Sequence, residues 1–230
     1  LRGVAFSETS RIVTFLTPGR GRMACLAKGV RRKNSRWGGL LDTFNRVELV
    51  YYWKDGRQVQ TLGDVSLLDD FSGLKRDLSR NVYAAFPLEV AGKTAHENEP
   101  SEALFEALVR GLAGLASWPG DARVHVCWQL MRLLEAAGFA PGLDQCVSCG
   151  GALCARPGFA YDGGAVCGAC RADRRIAPET LASLRVLQDA ADRCPEIPAG
   201  AEIFAVLRRY AAQQLETDFR SVRIIEEMFG

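Results

Sequence analysis

Histidine is almost missing from this sequence: His96 and His125 are the only two in 230 residues. Hydrolytic and proton-transfer chemistry leans on imidazoles, and no cluster of carboxylates replaces them, so an enzyme acting on nucleic acid is disfavoured. A zinc deaminase would need a His-x-Glu element and Pro-Cys-x-x-Cys, whereas Gln145 precedes Cys146. Long apolar runs are missing too. None reaches the roughly 18 to 20 residues of a membrane span, and no basic stretch followed by an apolar one opens the chain. The expectation is a soluble, intracellular protein whose natural start lies upstream of Leu1. There is no internal repeat and no low-complexity tract. A hydrophobic fraction of 48% with 24% charged residues excludes a disordered or fibrous chain. The length suits one large domain or two small ones.

Cysteine, by contrast, is plentiful and unevenly placed. Five of the eight lie in CVSCGGALCARPGFAYDGGAVCGAC, Cys146 to Cys170, with two Cys-x-x-Cys pairs separated by seventeen residues, Gly150 to Val166. A secreted disulfide scaffold would be smaller and would spread its cysteines. Clustered pairs favour a metal. A Cys-x-x-Cys turn brings two thiolates to one ion, and a second turn closes the tetrahedron, so Cys146, Cys149, Cys167 and Cys170 are the expected ligands of one structural Zn2+. Redox or disulfide use of the pairs is the weaker alternative. Four thiolates leave no position for a catalytic water. Cys154 lies off the pattern and reads as a spectator; Cys25, Cys127 and Cys194 read as small buried apolar residues.

The first seventy residues have a β pattern. Arg11 to Thr17, Arg22 to Lys28, Phe44 to Trp53 and Arg57 to Leu62, with a first strand near Arg2 to Phe6, make about five short strands joined by tight turns. That fits a small barrel of the OB type. After Asp70 the period becomes helical. Leu104, Leu108, Leu112 and Leu115 form one stripe, Cys127, Leu130, Met131 and Leu134 a second that stops near Gly138, and Phe204, Leu207, Ala211 and Leu215 a third. Ala91 to Ser101 reads as a polar loop, and His125 as a satisfied structural residue on a helix. The predicted class is multidomain α+β: an N-terminal OB-fold β-barrel over residues 1–70, then an α-helical domain over 71–230 with an inserted four-cysteine zinc module at about 141–176.

Charge is divided along the chain. Residues 1–57 hold twelve Lys or Arg against four Asp or Glu, and the remainder carries a net negative balance. The densest part is GRGRMACLAKGVRRKNSR, Gly19 to Arg36, with seven basic residues and no acid, followed by Trp37. Phosphate backbones are the obvious partner for Arg20, Arg22, Lys28, Arg31, Arg32, Lys33 and Arg36. Trp37 either stacks on an unpaired base or turns into the core. Two motifs are decoys. Ala91-Gly92-Lys93-Thr94 mimics the end of a P-loop, but Pro87 stands where the first glycine belongs. The Gly19 to Ala24 run mimics a dinucleotide fingerprint, yet no βαβ unit surrounds it. The basic doublets Arg174-Arg175 and Arg208-Arg209 read as solvated helix faces, with contact to an acidic partner tail as the weaker alternative.

Taken in order, Ser10-Arg11-Ile12-Val13-Thr14, the Ala27 to Arg32 run, Ser35-Arg36, the Val47 to Tyr52 strand and the two Cys-x-x-Cys pairs resemble the RecO family of bacterial DNA repair and recombination mediators. The resemblance covers nearly the whole chain, and its most specific part is Ala27 to Arg36. It implies a non-enzymatic protein that binds single- and double-stranded DNA and anneals complementary strands. With RecR and the single-strand DNA-binding protein as partners, it would help RecA load onto gapped DNA. It also implies a cytoplasmic, nucleoid-associated location. Lys28, Arg31, Arg32, Lys33 and Arg36 take the DNA-contact role, and Arg11 joins them as a candidate contact. The rival is a zinc-ribbon transcription or scaffold protein that acts through protein contacts.

Overall fold

The computed structural model describes residues 1–153, 155–198 and 200–229. Five strands form the first sheet: β1 (Arg2–Ala5), β2 (Arg11–Thr17), β3 (Gly21–Ala27), β4 (Arg46–Tyr52) and β5 (Val59–Asp69). Their order is β1-β2-β3-β5-β4, antiparallel except for β3 beside β5. This is the Greek-key order of the OB fold. Alternation does the folding: Val13 and Phe15 on β2, and Met23, Cys25 and Ala27 on β3, point inward and meet Leu41, Leu62 and Val65 in one small core. Cys25 is fully buried, as expected.

β5 runs well past Leu62, where its sequence suggests an end. Gly63 and Asp64 lie within the strand. A Cβ at Gly63 would come 3.0 Å from the Tyr52 ring and 3.2 Å from the Val50 carbonyl oxygen. Glycine there lets the β4 aromatic lie against its neighbouring strand.

The helical part follows directly: α1 (Ser72–Arg76), α2 (Leu78–Thr94), α3 (Glu102–Ser117), α4 (Ala122–Ala136), α5 (Pro178–Asp189), α6 (Gly200–Gln214) and α7 (Arg220–Phe229). The three sequence stripes lie in α3, α4 and α6, and their residues are buried except Leu215, which follows α6 and is partly buried. α4 stops as its sequence suggests, with Gly138 in the left-handed region at φ 80°. The expected loop from Ala91 begins later. α2 continues through Pro87 to Thr94, because Phe86, Pro87, Leu88, Val90 and Ala91 are all buried and their packing outweighs the lost amide bond. The P-loop decoy is therefore the last turn of a helix.

Segment 95–101 straps the helical part to the tip of the β2–β3 hairpin. Arg22 N–H donates to the His96 carbonyl at 2.9 Å and Ser101 N–H to the Pro18 carbonyl at 3.1 Å. Gly21, at φ 56°, sits so close that a Cβ would lie 2.2 Å from the Glu99 carbonyl oxygen. No helix among the described residues is long and apolar enough to cross a membrane.

Candidate nucleic-acid interface and metal centre

Between α4 and α5 the chain makes a second sheet of β6 (Gly158–Ala160), β7 (Gly164–Val166) and β8 (Arg174–Arg175), in the order β7-β6-β8. It presents two knuckle turns to each other. Gly150 N–H closes the first onto the Cys146 carbonyl at 2.8 Å, and Cys170 N–H closes the second onto the Cys167 carbonyl at 3.3 Å. Gly150 adopts φ 71°, which the tight first knuckle requires.

The four sulfurs of Cys146, Cys149, Cys167 and Cys170 all lie within 4.8 Å of one another. Cys149 and Cys167 Sγ are 3.9 Å apart. A tetrahedron of sulfurs around zinc at about 2.3 Å places them about 3.8 Å apart, so the set fits one metal ion and is consistent with zinc. Backbone N–H groups, that of Cys167 first and then those of Cys149 and Ser148, draw the Cys146 thiol down to about 6. Its neighbours, Cys149 first, push Cys170 up to about 12, since four thiolates do not ionise together without a cation among them. Cys154 lies outside the described residues.

One supporting residue escaped the sequence reading. Arg174-Arg175 is a strand, not a helix face, and the Arg175 guanidinium donates to the carbonyls of Cys167 (3.2 Å), Gly168 (3.3 Å) and Cys170 (2.9 Å). It cradles the second knuckle. Arg208 likewise is half-buried and pairs with Glu226 rather than standing free.

The nine basic and aromatic candidates fall into separate places on the barrel. Arg11 stands opposite Ala27 in the β2–β3 register, and its guanidinium packs over Gly3. Arg31 reaches the loop between β1 and β2, donating through its backbone to the Thr9 carbonyl (3.0 Å) and through its side chain to the Ser7 carbonyl (3.2 Å). Lys28, Arg31, Arg32 and Lys33 lie in the turns that follow β3, and Arg31, Arg32 and Lys33 are exposed. Among the described residues none of these four, nor Arg11, has a carboxylate in ion-pair range.

Arg36 and Trp37 are occupied. Asp64 on β5 accepts the Trp37 indole N–H at 3.2 Å and lies 3.3 Å from the Arg36 guanidinium, which in turn sits 5.3 Å from the Trp37 ring centroid. Trp37 packs on the barrel core. The Val65 amide, then the Trp37 indole, then Arg36 hold the Asp64 carboxyl below its ordinary range. No pattern in the sequence pairs Asp64 with a loop 27 residues earlier. Arg22 is occupied as well, donating to the Gly92 carbonyl at 3.1 Å and pairing with Glu97 at 3.4 Å across the strap. Arg20, at the hairpin tip beside it, lies 4.4 Å from the ring of Trp53.

Comparison with known proteins decides the lineage. Residues 1–71 match the model described as Recombination protein O N terminal, and residues 75–223 match Recombination protein O C terminal. The chain belongs to the RecO family. A Nocardioides relative described as DNA repair protein RecO is 35% identical, with 98% of this chain and 96% of the relative covered. Relatives with the same description from Anaeromyxobacter dehalogenans (31% identical; 99% and 94% covered) and Thermobifida fusca (32%; 98% and 95%) align as completely. The RecO N-terminal match spans all five barrel strands, and the C-terminal match spans the cysteine cluster.

Proposed function

We propose that this chain mediates DNA repair and homologous recombination by binding single- and double-stranded DNA and annealing complementary strands. With RecR, it would assist RecA loading onto DNA coated by the single-strand DNA-binding protein. The observation that carries the reading is the group of cations without an ion-pair partner among the described residues, Lys28, Arg31, Arg32 and Lys33, with Arg11 beside them, near the loop between β1 and β2. In an OB barrel this loop flanks the usual oligonucleotide surface. Family membership supports the same direction.

Annealing breaks and forms no covalent bond, so the proposal requires no catalytic residue. A surface that neutralises phosphates lowers the mutual repulsion of two strands and raises their local concentration, and released counterions supply much of the affinity. Zn2+ on Cys146, Cys149, Cys167 and Cys170 would be structural. The same proposal places the functional division near residue 70, with DNA on the barrel and protein partners on the acidic helical part, and the protein in the cytoplasm with the nucleoid.

The test is the triple variant Arg31→Ala, Arg32→Ala, Lys33→Ala. Three lost phosphate contacts should flatten the dependence of log K on log salt by about 2 to 3 and slow oligonucleotide annealing. An unchanged slope would remove the basic loop from the interface. The three-stranded sheet with two knuckles also suits a zinc-ribbon scaffold that works through protein contacts. A scaffold would leave the pairing rate of complementary oligonucleotides where it is without protein.

A further inference from the structure

β8 is two residues long, Arg174-Arg175, and Ile176 of the helical core follows at once. The Ile176 N–H donates to the Pro157 carbonyl at 3.2 Å and the Asp173 N–H to the Phe159 carbonyl at 3.0 Å, so the strand is pinned at both ends beside β6. Arg175 is exposed, and among the described residues it has no carboxylate partner. Its guanidinium nonetheless donates to three carbonyls of one turn: Nη1 to Cys167 at 3.2 Å, and Nη2 to Gly168 at 3.3 Å and to Cys170 at 2.9 Å. Two of these acceptors are carbonyls of cysteines that would hold the metal.

The neighbouring strand makes room for this side chain. Gly158 on β6 stands opposite Arg175 in the register. A Cβ on Gly158 would lie 3.1 Å from Arg175 Nη1 and 2.4 Å from the Ala172 Cβ. Glycine in the middle strand therefore keeps the approach of the guanidinium open.

The two knuckles are not held alike. The first closes on its own backbone, with Gly150 N–H 2.8 Å from the Cys146 carbonyl, whereas the corresponding bond of the second, Cys170 N–H to the Cys167 carbonyl, is 3.3 Å, long for an amide bond. Arg175 supplies what the second lacks. A guanidinium is a planar fork with its donors at fixed angles, so three carbonyls converging on it have their peptide planes set together. Cys167 and Cys170 then present their sulfurs from one backbone shape. Four thiolates around one divalent cation also leave two negative charges uncompensated, and the fork places a positive charge against the backbone of two of the four ligands. Groups that orient and polarise metal ligands in this way govern how tightly the ion is held.

We propose that Arg175 is a positioning residue of the metal centre: it clamps the second knuckle from β8, so the affinity of the four cysteines for their ion depends on a side chain that is not a ligand. The inference rests on the reading of Cys146, Cys149, Cys167 and Cys170 as one metal site and deepens it. The clamp also ties that site to the strand that leads through Ile176 into α5.

The experiment loads the full chain with Zn2+ and titrates it against a chromogenic chelator. Arg175→Ala should weaken Zn2+ binding about ten- to hundredfold, the range for a lost partner of metal ligands. Arg175→Lys keeps the charge without the fork and should recover only part of the loss. Arg174→Ala, at the exposed neighbour that belongs to no ion pair among the described residues, should stay within about twofold of the unaltered protein. Loaded with Co2+ instead, Arg175→Ala should keep the absorption of a tetrahedral four-thiolate site, which separates weaker holding from a lost ligand. Unchanged Zn2+ affinity in Arg175→Ala, or an equal loss in Arg174→Ala, overturns the clamp. If Arg175→Ala does not fold by circular dichroism, Arg175→Lys and Arg175→Gln carry the same comparison, with the larger loss expected for Arg175→Gln. Should the unaltered protein bind neither Zn2+ nor Co2+, the metal reading itself fails; should it bind both and ignore Arg175, only the clamp does.

Discussion

His125 is the residue whose surroundings depart furthest from what its sequence neighbours suggest. It is 2% exposed on α4, between Trp118 and Trp128, with ring centroids 5.4 and 5.3 Å away. Its Nε2 fills a notch at Gly114 of α3, where a Cβ would stand 2.6 Å away, and Gln129 fills the next notch at Gly111 in the same manner. Expected to be satisfied, the imidazole has no hydrogen-bond partner for Nδ1 among the described residues. Burial lowers its pKa from 6.5 to about 4. The folded protein therefore holds it neutral, while the unfolded chain takes up a proton below about pH 6.5. Stability falls as pH drops from 6.5 towards 4, by about 3 kcal/mol in all, and this contribution levels off below that. His125→Phe removes the titration. Urea unfolding at about pH 7, 5.5 and 4.5, spanning that window, should show a shallower decline for the variant than for the wild type, and parallel declines would contradict the assignment. A helical stripe places His125 and Gln129 on α4, but which residues of α3 oppose them is a tertiary fact that one helix's periodicity does not contain.

At the level of elements, alternation and helical period carry most of the fold. β2 begins and ends where its sequence does, and α5 starts on its proline, because each rests on local chemistry. The failures share a cause. α2 running on past Ala91, β5 running on past Leu62 and Arg175 in a strand each follow contacts that local pattern does not contain: the buried face of α2, the Tyr52 ring, the second cysteine knuckle. The hairpin strap is the element where this matters most. Gly21 reads as an ordinary turn glycine, yet it is pressed against the backbone of Glu99 and His96. Gly21→Ala should cost about 2 kcal/mol or more through its positive φ and that contact, and should expose segment 95–101 to limited proteolysis. Gly19, two residues away with open space where its Cβ would stand, provides the comparison. Gly19→Ala should leave both stability and protease resistance nearly unchanged.

Across the whole molecule, charge and metal are assigned to different bodies. The first 57 residues carry the positive excess, and the cysteine module belongs to the remainder, where acids outnumber bases. The cysteine pairs and the basic run are the two features most legible in sequence, because spacing and composition suffice to find them. What sequence could not show is which basic residues find partners within the fold: Arg22 beside Glu97 and the Gly92 carbonyl, Arg36 beside Asp64, Arg175 on three carbonyls. Among the described residues the module's own buried cluster is Cys146, Val166 and Cys167, while Phe159 and Ala165 belong to the helical core. So small a core gives the two knuckles of ionisable thiols little apolar support of their own, and a cation among them would supply the rest. Chelation should therefore lower Tm by about 10 °C or more, as expected for a loss of several kcal/mol at roughly 2–4 °C each. The cations of the barrel lie on other strands, so oligonucleotide affinity below the new Tm should stay within about twofold of the metal-bound protein. Calorimetry and anisotropy on the same chelated sample check both halves. Loss of DNA binding from a chelated protein that is still folded would place the metal module in the interface and contradict the separation of charge from metal.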